Sequence, residues 1–212
     1  MKQIKGIIFD LDGVICYTDD YHYRAWKTLA DRLHIPFDRT ANRKLRGVGR
    51  MESLEIMLGE HAAEYSDEEK ARLAEEKNRI YQKYLAEMTP KDLSEETLYT
   101  LQTLHKRGYL LAIGSSSKNA GTILKCLGLT DFFDAVVDGN QIKRSKPDPE
   151  VFLLAAKKLG IQPEEAMVIE DATSGIKAAY SGKFHAIGIW SAENIPDCEI
   201  SIKYLRNLLE IL

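Results

Sequence analysis

The sequence predicts an α/β protein: a Rossmann-like parallel-sheet core covered by helices on both faces, with an inserted all-helical cap. Three observations predict it. From residue 95 onward, short apolar runs alternate with amphipathic stretches that mostly stop at a glycine. A further strand-like run, residues 4–9, stands apart from these, because residues 20–88 read almost entirely as helix. That first run also ends abruptly in Asp10-Leu11-Asp12-Gly13, so a strand delivers two carboxylates to the rim of a sheet.

The elements follow in order. Residues 4–9 form the first strand. A helix over 21–33 places Tyr21, Ala25, Trp26, Leu29 and Leu33 on one face, and Pro36 breaks it. Shorter helices cover 38–45 and 50–58. Ser66-Asp67-Glu68-Glu69 reads as an N-cap with acids in the first turn, opening a charged helix to about residue 86. Most of that charge is expected to form a solvated face. A polar linker, Thr89-Pro90-Lys91-Asp92, leads to a helix over 95–106 that stops at Gly108. Then come a strand over 109–113, a helix over 119–127 before Gly128, a strand over 134–137, and a helix over 149–159 before Gly160. A strand over 166–169, a helix over 174–181 before Gly182, a strand over 185–189 and a final helix over about 202–209 complete the chain. The domain division is therefore 1–15 with 91–212 as the α/β core and 16–90 as the helical cap.

The 212 residues are 44% hydrophobic and 29% charged, ordinary values for a soluble globular chain. A net charge of −3 argues against a broad nucleic-acid footprint. Cys16, Cys126 and Cys198 are far apart and include no Cys-x-x-Cys pair, so neither a zinc knuckle nor a disulfide framework is expected. Reduced thiols in the cytosol are the simplest reading. The N-terminus carries no signal-peptide pattern, and no stretch approaches 18 consecutive apolar residues.

Chemistry-bearing residues recur where strands end, the place where such sheets bind ligands. Asp10 and Asp12 follow the first strand. Gly114-Ser115-Ser116-Ser117-Lys118-Asn119 follows the second and opens a helix, whose free N–H groups favour anions. Lys146-Pro147 lies between the third and fourth strands, and Glu170-Asp171 follows the fourth. Taken singly, each has a plain explanation: a strand-end cap, a serine loop, a surface lysine, an N-cap pair. Four together at strand ends point to one site. Asp10, Asp171 and Glu170 offer hard oxygen ligands of the kind Mg²⁺ prefers. Lys146 would offset charge at Asp10, and Ser115 with nearby amides would hold phosphoryl oxygens. Two adjacent acids with divergent pKa values make Asp10 a nucleophile and Asp12 a proton shuttle.

On Asp10-Leu11-Asp12-Gly13-Val14, Ser115, Lys146-Pro147 and Glu170-Asp171, the chain resembles the haloacid dehalogenase superfamily of phosphotransferases with an inserted helical cap. The resemblance implies that Asp10 is the nucleophile and Asp12 the general acid/base. It also implies that Mg²⁺ is held by Asp10, Glu170, Asp171 and the Asp12 backbone carbonyl. Within that superfamily the chain is similar over nearly its full length to the β-phosphoglucomutases. Thr18, Tyr21-His22, Arg24-Ala25-Trp26, Leu45-Arg46-Gly47-Val48, Arg50, Ser53-Leu54, Lys77-Asn78 and Ser117-Lys118-Asn119 carry this closer likeness.

That likeness implies interconversion of β-D-glucose 1-phosphate and D-glucose 6-phosphate through β-D-glucose 1,6-bisphosphate. Arg50 would grip the distal phosphate, while His22 and Lys77 would hold the acid/base in place until the cap closes. Trp26, Arg46, Gly47, Val48, Ser53, Ser116, Ser117, Lys118 and Asn119 would complete the substrate site with Asp10, Ser115 and Lys146. The expected setting is a cytoplasmic monomer acting on a small phosphosugar, with no nucleic-acid or membrane partner. Tyr17, Arg46, Gly49 and Gly114 depart from the usual pattern (Asp, Lys, a small hydroxyl residue and Ala, respectively), and Leu93-Ser94-Glu95-Glu96 lacks a Pro-Gly return to the core. The alternatives are a sugar-phosphate phosphatase of the same superfamily and a non-catalytic phosphosugar-binding module. The latter predicts loss of a reacting carboxylate, and all are present.

Overall fold

The computed structural model describes residues 3–45, 48–189 and 197–212. Among these described residues, six strands form one sheet: β1 (Gly6–Phe9), β2 (Leu110–Gly114), β3 (Ala135–Val137), β4 (Ala166–Glu170), β5 (His185–Ile189) and β6 (Ile200–Ile202). Their order is β3-β2-β1-β4-β5-β6, and every pairing is parallel. The strands are buried runs of four or five residues at the centre, as a sheet covered on both faces requires.

Period-two alternation decides which residue faces which layer. Ile7, Phe9, Leu111, Ile113, Met167, Ile169, Ile187 and Ile189 share one apolar cluster. Ile8, Ala112, Val168 and Ala186, which alternate with them along the strands, share the cluster on the other face. Helices α1 (Asp19–Arg32), α2 (Arg39–Arg43), α3 (Arg50–Leu58) and α4 (Asp67–Leu85) follow β1. They build a cap with its own core of Trp26, Leu29, Phe37, Leu54, Leu58 and Leu73. The rest of the core is helical between strands: α5 (Glu95–Lys106), α6 (Ala120–Cys126), α7 (Glu150–Leu159) and α8 (Thr173–Ser181).

Capping sets the boundaries. Ser66 and Glu69 form a reciprocal capping box at the start of α4. Gly108, Gly128 and Gly160 take positive φ after α5, α6 and α7, where a Cβ would be strained. The expected final helix over 202–209 is corrected. Ile200 and Ile202 are edge-strand residues, with Ile187 opposite Ile200, and only Leu208–Ile211 (α9) is α-helical. Alternating β-branched residues beside an open sheet edge gain more from pairing than from helix. Among the described residues no helix is long and apolar enough to cross a membrane.

Candidate active site

Register assembles the site. Phe9 lies opposite Ile113 on β2 and Ile169 on β4, so the next residues, Asp10, Gly114 and Glu170, emerge side by side at the carboxyl edge. The Asp10 backbone N–H donates to the Ile169 carbonyl at 3.0 Å, extending the ladder by one step. Lys146, from the loop before α7, donates to Asp10 Oδ1 and to Glu170 Oε1, each at 2.5 Å. Its ammonium is fully buried; burial works against its charge, but Asp10 and Glu170 outweigh that and its pKa is raised. Burial raises the Glu170 carboxyl to about 7 even with Lys146 opposing it.

Ligand oxygens of Asp10, Glu170 and Asp171 lie within 4.8 Å of one another. Three clustered hard carboxylates suit a Mg²⁺-type cation. Two glycines make the cluster possible. At Gly13, φ is +95° and a Cβ would lie 2.3 Å from Asp171 Oδ2. At Gly175, in the first turn of α8, a Cβ would lie 1.9 Å from the Glu170 carboxyl carbon. The Ala172 N–H donates to Glu170 Oε2 at 2.9 Å, which orients that carboxylate further.

Asp12 is set apart from this cluster. The Thr18 hydroxyl donates to its Oδ1. Burial first, and then the neighbouring Asp10 charge, raise its pKa to about 6, against opposing effects of Thr18, Lys146 and Lys77. A carboxyl in this range can give and take a proton near neutrality.

The loop after β2 makes a second wall. The Ser115 N–H donates to Val137, and the Ser115 and Ser117 hydroxyl oxygens accept from the Ser117 and Asn119 N–H groups at 3.1 and 3.2 Å. The Asn119 amide donates to Asn78 and accepts from Gln82, tying this loop to α4 of the cap. The departure at Gly114 has a packing reason: a Cβ there would lie 2.7 Å from Phe152.

The cap supplies the opposite wall. Lys77 Nζ lies 2.9 Å from His22 Nδ1 and stands over the rings of Trp26 and Tyr81 at 4.7 and 4.6 Å. Burial and the Arg50 charge lower the Lys77 pKa to about 7. Burial, with Lys77 and Arg50, holds the His22 imidazole well below its usual range, so it stays neutral and Nδ1 accepts. Arg50 is half-buried at the start of α3, with Nη1 3.3 Å from Glu75. Gly49 brings cap against core, since a Cβ on it would meet Ser145 Oγ at 2.5 Å.

Between the walls lies a cavity of about 470 Å³. Of the residues expected from sequence, Asp10, Asp12, His22, Trp26, Val48, Arg50, Ser53, Lys77, Ser115, Ser116, Ser117, Lys118, Asn119 and Asp171 line it. Lys146 and Glu170 sit behind Asp10 instead of on the wall. Arg46 and Gly47 lie outside the described residues. Lys77, whose helix read as a solvated face, is 3% exposed. Sequence reasoning missed Tyr81, Asn42 and Ser145 on the lining. Tyr81 was within reach of it, because it lies four residues beyond Lys77 on the same helix face.

A family model described as haloacid dehalogenase-like hydrolase matches residues 4–181. The chain is 39% identical over 212 residues to the beta-phosphoglucomutase of Bacillus subtilis (strain 168), covering 99% of this chain and 94% of that protein. It is 31% identical over 189 residues to a phosphorylated carbohydrates phosphatase of Thermotoga maritima, covering 87% and 84%. Among solved structures, a beta-phosphoglucomutase (pgmB) from Clostridium difficile superposes with a TM-score of 0.92 at 38% identity, covering 97% of this chain and 93% of that one.

Proposed function

The chain belongs to the haloacid dehalogenase-like hydrolase family and is an enzyme of it; from that premise we propose that it interconverts β-D-glucose 1-phosphate and D-glucose 6-phosphate through an aspartyl-phosphate enzyme and β-D-glucose 1,6-bisphosphate. The observation that carries the proposal is the two-ended cavity. A carboxylate held by a buried lysine lies on the core wall, and a half-buried arginine lies on the cap wall. A mutase handles a sugar with phosphate at either end and needs a partner for the end that is not reacting. Residues 16–90 serve as the cap and residues 1–15 with 91–212 as the core.

The chain's own groups account for each step. In the phosphoenzyme, the sugar O6 attacks phosphorus on Asp10, the Asp10–phosphorus bond breaks, and Asp12 takes the O6 proton. The bisphosphate then presents its C1 phosphate. Asp10 Oδ attacks that phosphorus, the bond to O1 breaks, and Asp12 returns the proton to O1. Lys146 steadies Asp10 throughout, and Ser115 with the amides beside it holds phosphoryl oxygens. Arg50 grips the distal phosphate through its planar fork of donors. Asp10, Glu170 and Asp171, with the Asp12 carbonyl, would hold Mg²⁺, which supplies charge neutralisation at the transferring phosphoryl group.

The 31% identical phosphatase relative supports a second reading, in which water takes the place of the sugar hydroxyl. One assay separates the two. Enzyme, Mg²⁺ and β-D-glucose 1-phosphate with a trace of the bisphosphate should yield glucose 6-phosphate and little free phosphate. Free phosphate as the main product replaces the mutase reading with the phosphatase one.

A further inference from the structure

Tyr81 presents a contradiction between packing and chemistry. It lies on α4, is 1% exposed, and stacks on the His22 ring with centroids 4.1 Å apart. Its ring belongs to the apolar cluster that joins the cap to the sheet. A phenylalanine would fill that place as well. Yet its hydroxyl is buried with no hydrogen-bond partner among the described residues. An unsatisfied buried hydroxyl is destabilising and is rare in folded proteins unless it serves another end.

The surroundings identify that end. Tyr81 stacks on His22, whose backbone N–H donates to the Thr18 carbonyl at 2.9 Å, and Tyr81, Thr18 and Asp12 line the same cavity, which brings the Tyr81 hydroxyl within reach of Thr18. Thr18 already donates its only proton to Asp12, which leaves its oxygen able only to accept. Tyr81 has a donor to spare. Thr18 sits where the chain passes from the core into α1, whereas Tyr81 rides on α4 of the cap. A small shift of the cap against the core changes the distance and angle between these two hydroxyls.

We propose that Tyr81 is a positioning residue for Asp12: as the cap closes, its hydroxyl donates to the Thr18 oxygen and completes a chain from Tyr81 through Thr18 to the Asp12 carboxyl. This rests on the reading of Asp12 as the acid/base. The chain holds one carboxyl oxygen outward, so the other faces the sugar oxygen that gains or loses a proton. Hydrogen bonds in series polarise one another, so the Thr18–Asp12 bond tightens when the third member joins.

The test is Tyr81→Phe in the full chain, with three measurements. Thermal unfolding without Mg²⁺ should show an unchanged or higher Tm, because the orphaned hydroxyl is gone. With Mg²⁺ and β-D-glucose 1-phosphate, kcat should fall about three- to tenfold with KM little changed, the scale of one neutral hydrogen bond. Phosphorylation of Asp10 by acetyl phosphate should be unchanged, because acetate leaves without a general acid. In a Thr18→Val background, Tyr81→Phe should have no further effect on kcat.

Unchanged kcat with a raised Tm overturns the proposal and leaves the hydroxyl as a packing defect. Parallel losses in Tm, kcat and acetyl phosphate reactivity overturn it in favour of a structural role. Wild-type enzyme that forms no glucose 6-phosphate fails the mutase reading alone. The same comparison is then made on phosphate release from β-D-glucose 1-phosphate, whose sugar oxygen needs the same proton.

Discussion

Lys77 Nζ lies 2.9 Å from Nδ1 of His22 inside the cap wall, and among the described residues no carboxylate is hydrogen-bonded to either group. Two basic groups share a buried space where one charge is costly and two are more so. The Asp12 charge favours the lysine's charged form, and an anion entering the cavity would favour it further. The folded chain therefore carries a local destabilisation on the cap wall of the cavity.

Lys77→Met should raise stability and lower turnover. The folded-state pKa of Lys77 is about 7, well below the ordinary lysine value. Below pH 7 the lysine is charged in both folded and unfolded chains, and the burial penalty is fully present. Between pH 7 and about 10.4 the unfolded chain holds more protons, so wild-type stability rises with pH through that window. The variant should exceed wild type by at least about 1 kcal/mol at pH 6, or about 2–4 °C in Tm, with the gap closing as pH rises. Thermal melts at pH 6 and pH 9 check this, and an equal gap at both would contradict it.

Asp12→Asn should give a folded protein that still binds Mg²⁺, because its backbone carbonyl is untouched and its carboxylate is not in the Asp10–Glu170–Asp171 cluster. Turnover of β-D-glucose 1-phosphate should fall by about 10²–10⁴, the usual contribution of a general acid/base. Acetyl phosphate should still phosphorylate Asp10. The contrasting variant Asp10→Asn should lose both reactions, each by more than about a thousandfold. Steady-state rates with the two phosphodonors, beside a Mg²⁺ titration, measure the difference.

Arg50→Ala separates a site that reads two phosphates from one that reads a single phosphate. Arg50 is half-buried, and burial already lowers its pKa against the help of Glu75, so its charge is poorly compensated without an anion. Losing one charge-assisted grip costs about 1.5–3 kcal/mol, roughly ten- to a hundredfold in kcat/KM for the sugar phosphate. Acetyl phosphate reactivity should hold. Equal losses with both donors would make Arg50 structural, and no loss with either would favour the phosphatase reading.

Gly13→Ala should weaken Mg²⁺ binding. The added Cβ falls 2.3 Å from Asp171 Oδ2, and φ of +95° is strained for alanine. Displacing a ligating carboxylate or its support commonly costs about 10–100-fold in metal affinity. Isothermal titration with Mg²⁺ should show a loss in that range. Unaltered affinity would mean that Asp171 has room to retreat without leaving the cluster.

Much of the fold is legible in the chain because local periodicity encodes local structure. The alternation after residue 95 and the glycines at 108, 128 and 160 place helices and strands within a residue or two of those observed. The helix over 50–58 is found as Arg50–Leu58. The mistaken helix over 202–209 arose at an edge strand of three residues, too short for a period to declare itself. Carboxylates placed directly after apolar runs are legible for the same local reason, and so Asp10, Glu170 and Asp171 can be found from sequence.

What the sequence by itself determined is therefore the strands β1 to β5, the chemistry-bearing residues near their carboxyl ends, and the insertion of a helical cap. Tertiary structure alone decided how those groups behave. Lys146 meets Asp10 across 136 positions of chain, and only folding buries the two together. Lys77 stands in a helix of charged residues, and only the approach of Trp26 and Tyr81 makes it buried and weakly basic. Gly13 and Gly49 look like ordinary loop glycines until Asp171 and Ser145 come within a Cβ radius of them. The physical reason is common to all four cases. Propensity and periodicity act over a few residues, whereas desolvation, Coulomb coupling and close packing depend on neighbours that only the folded chain brings together.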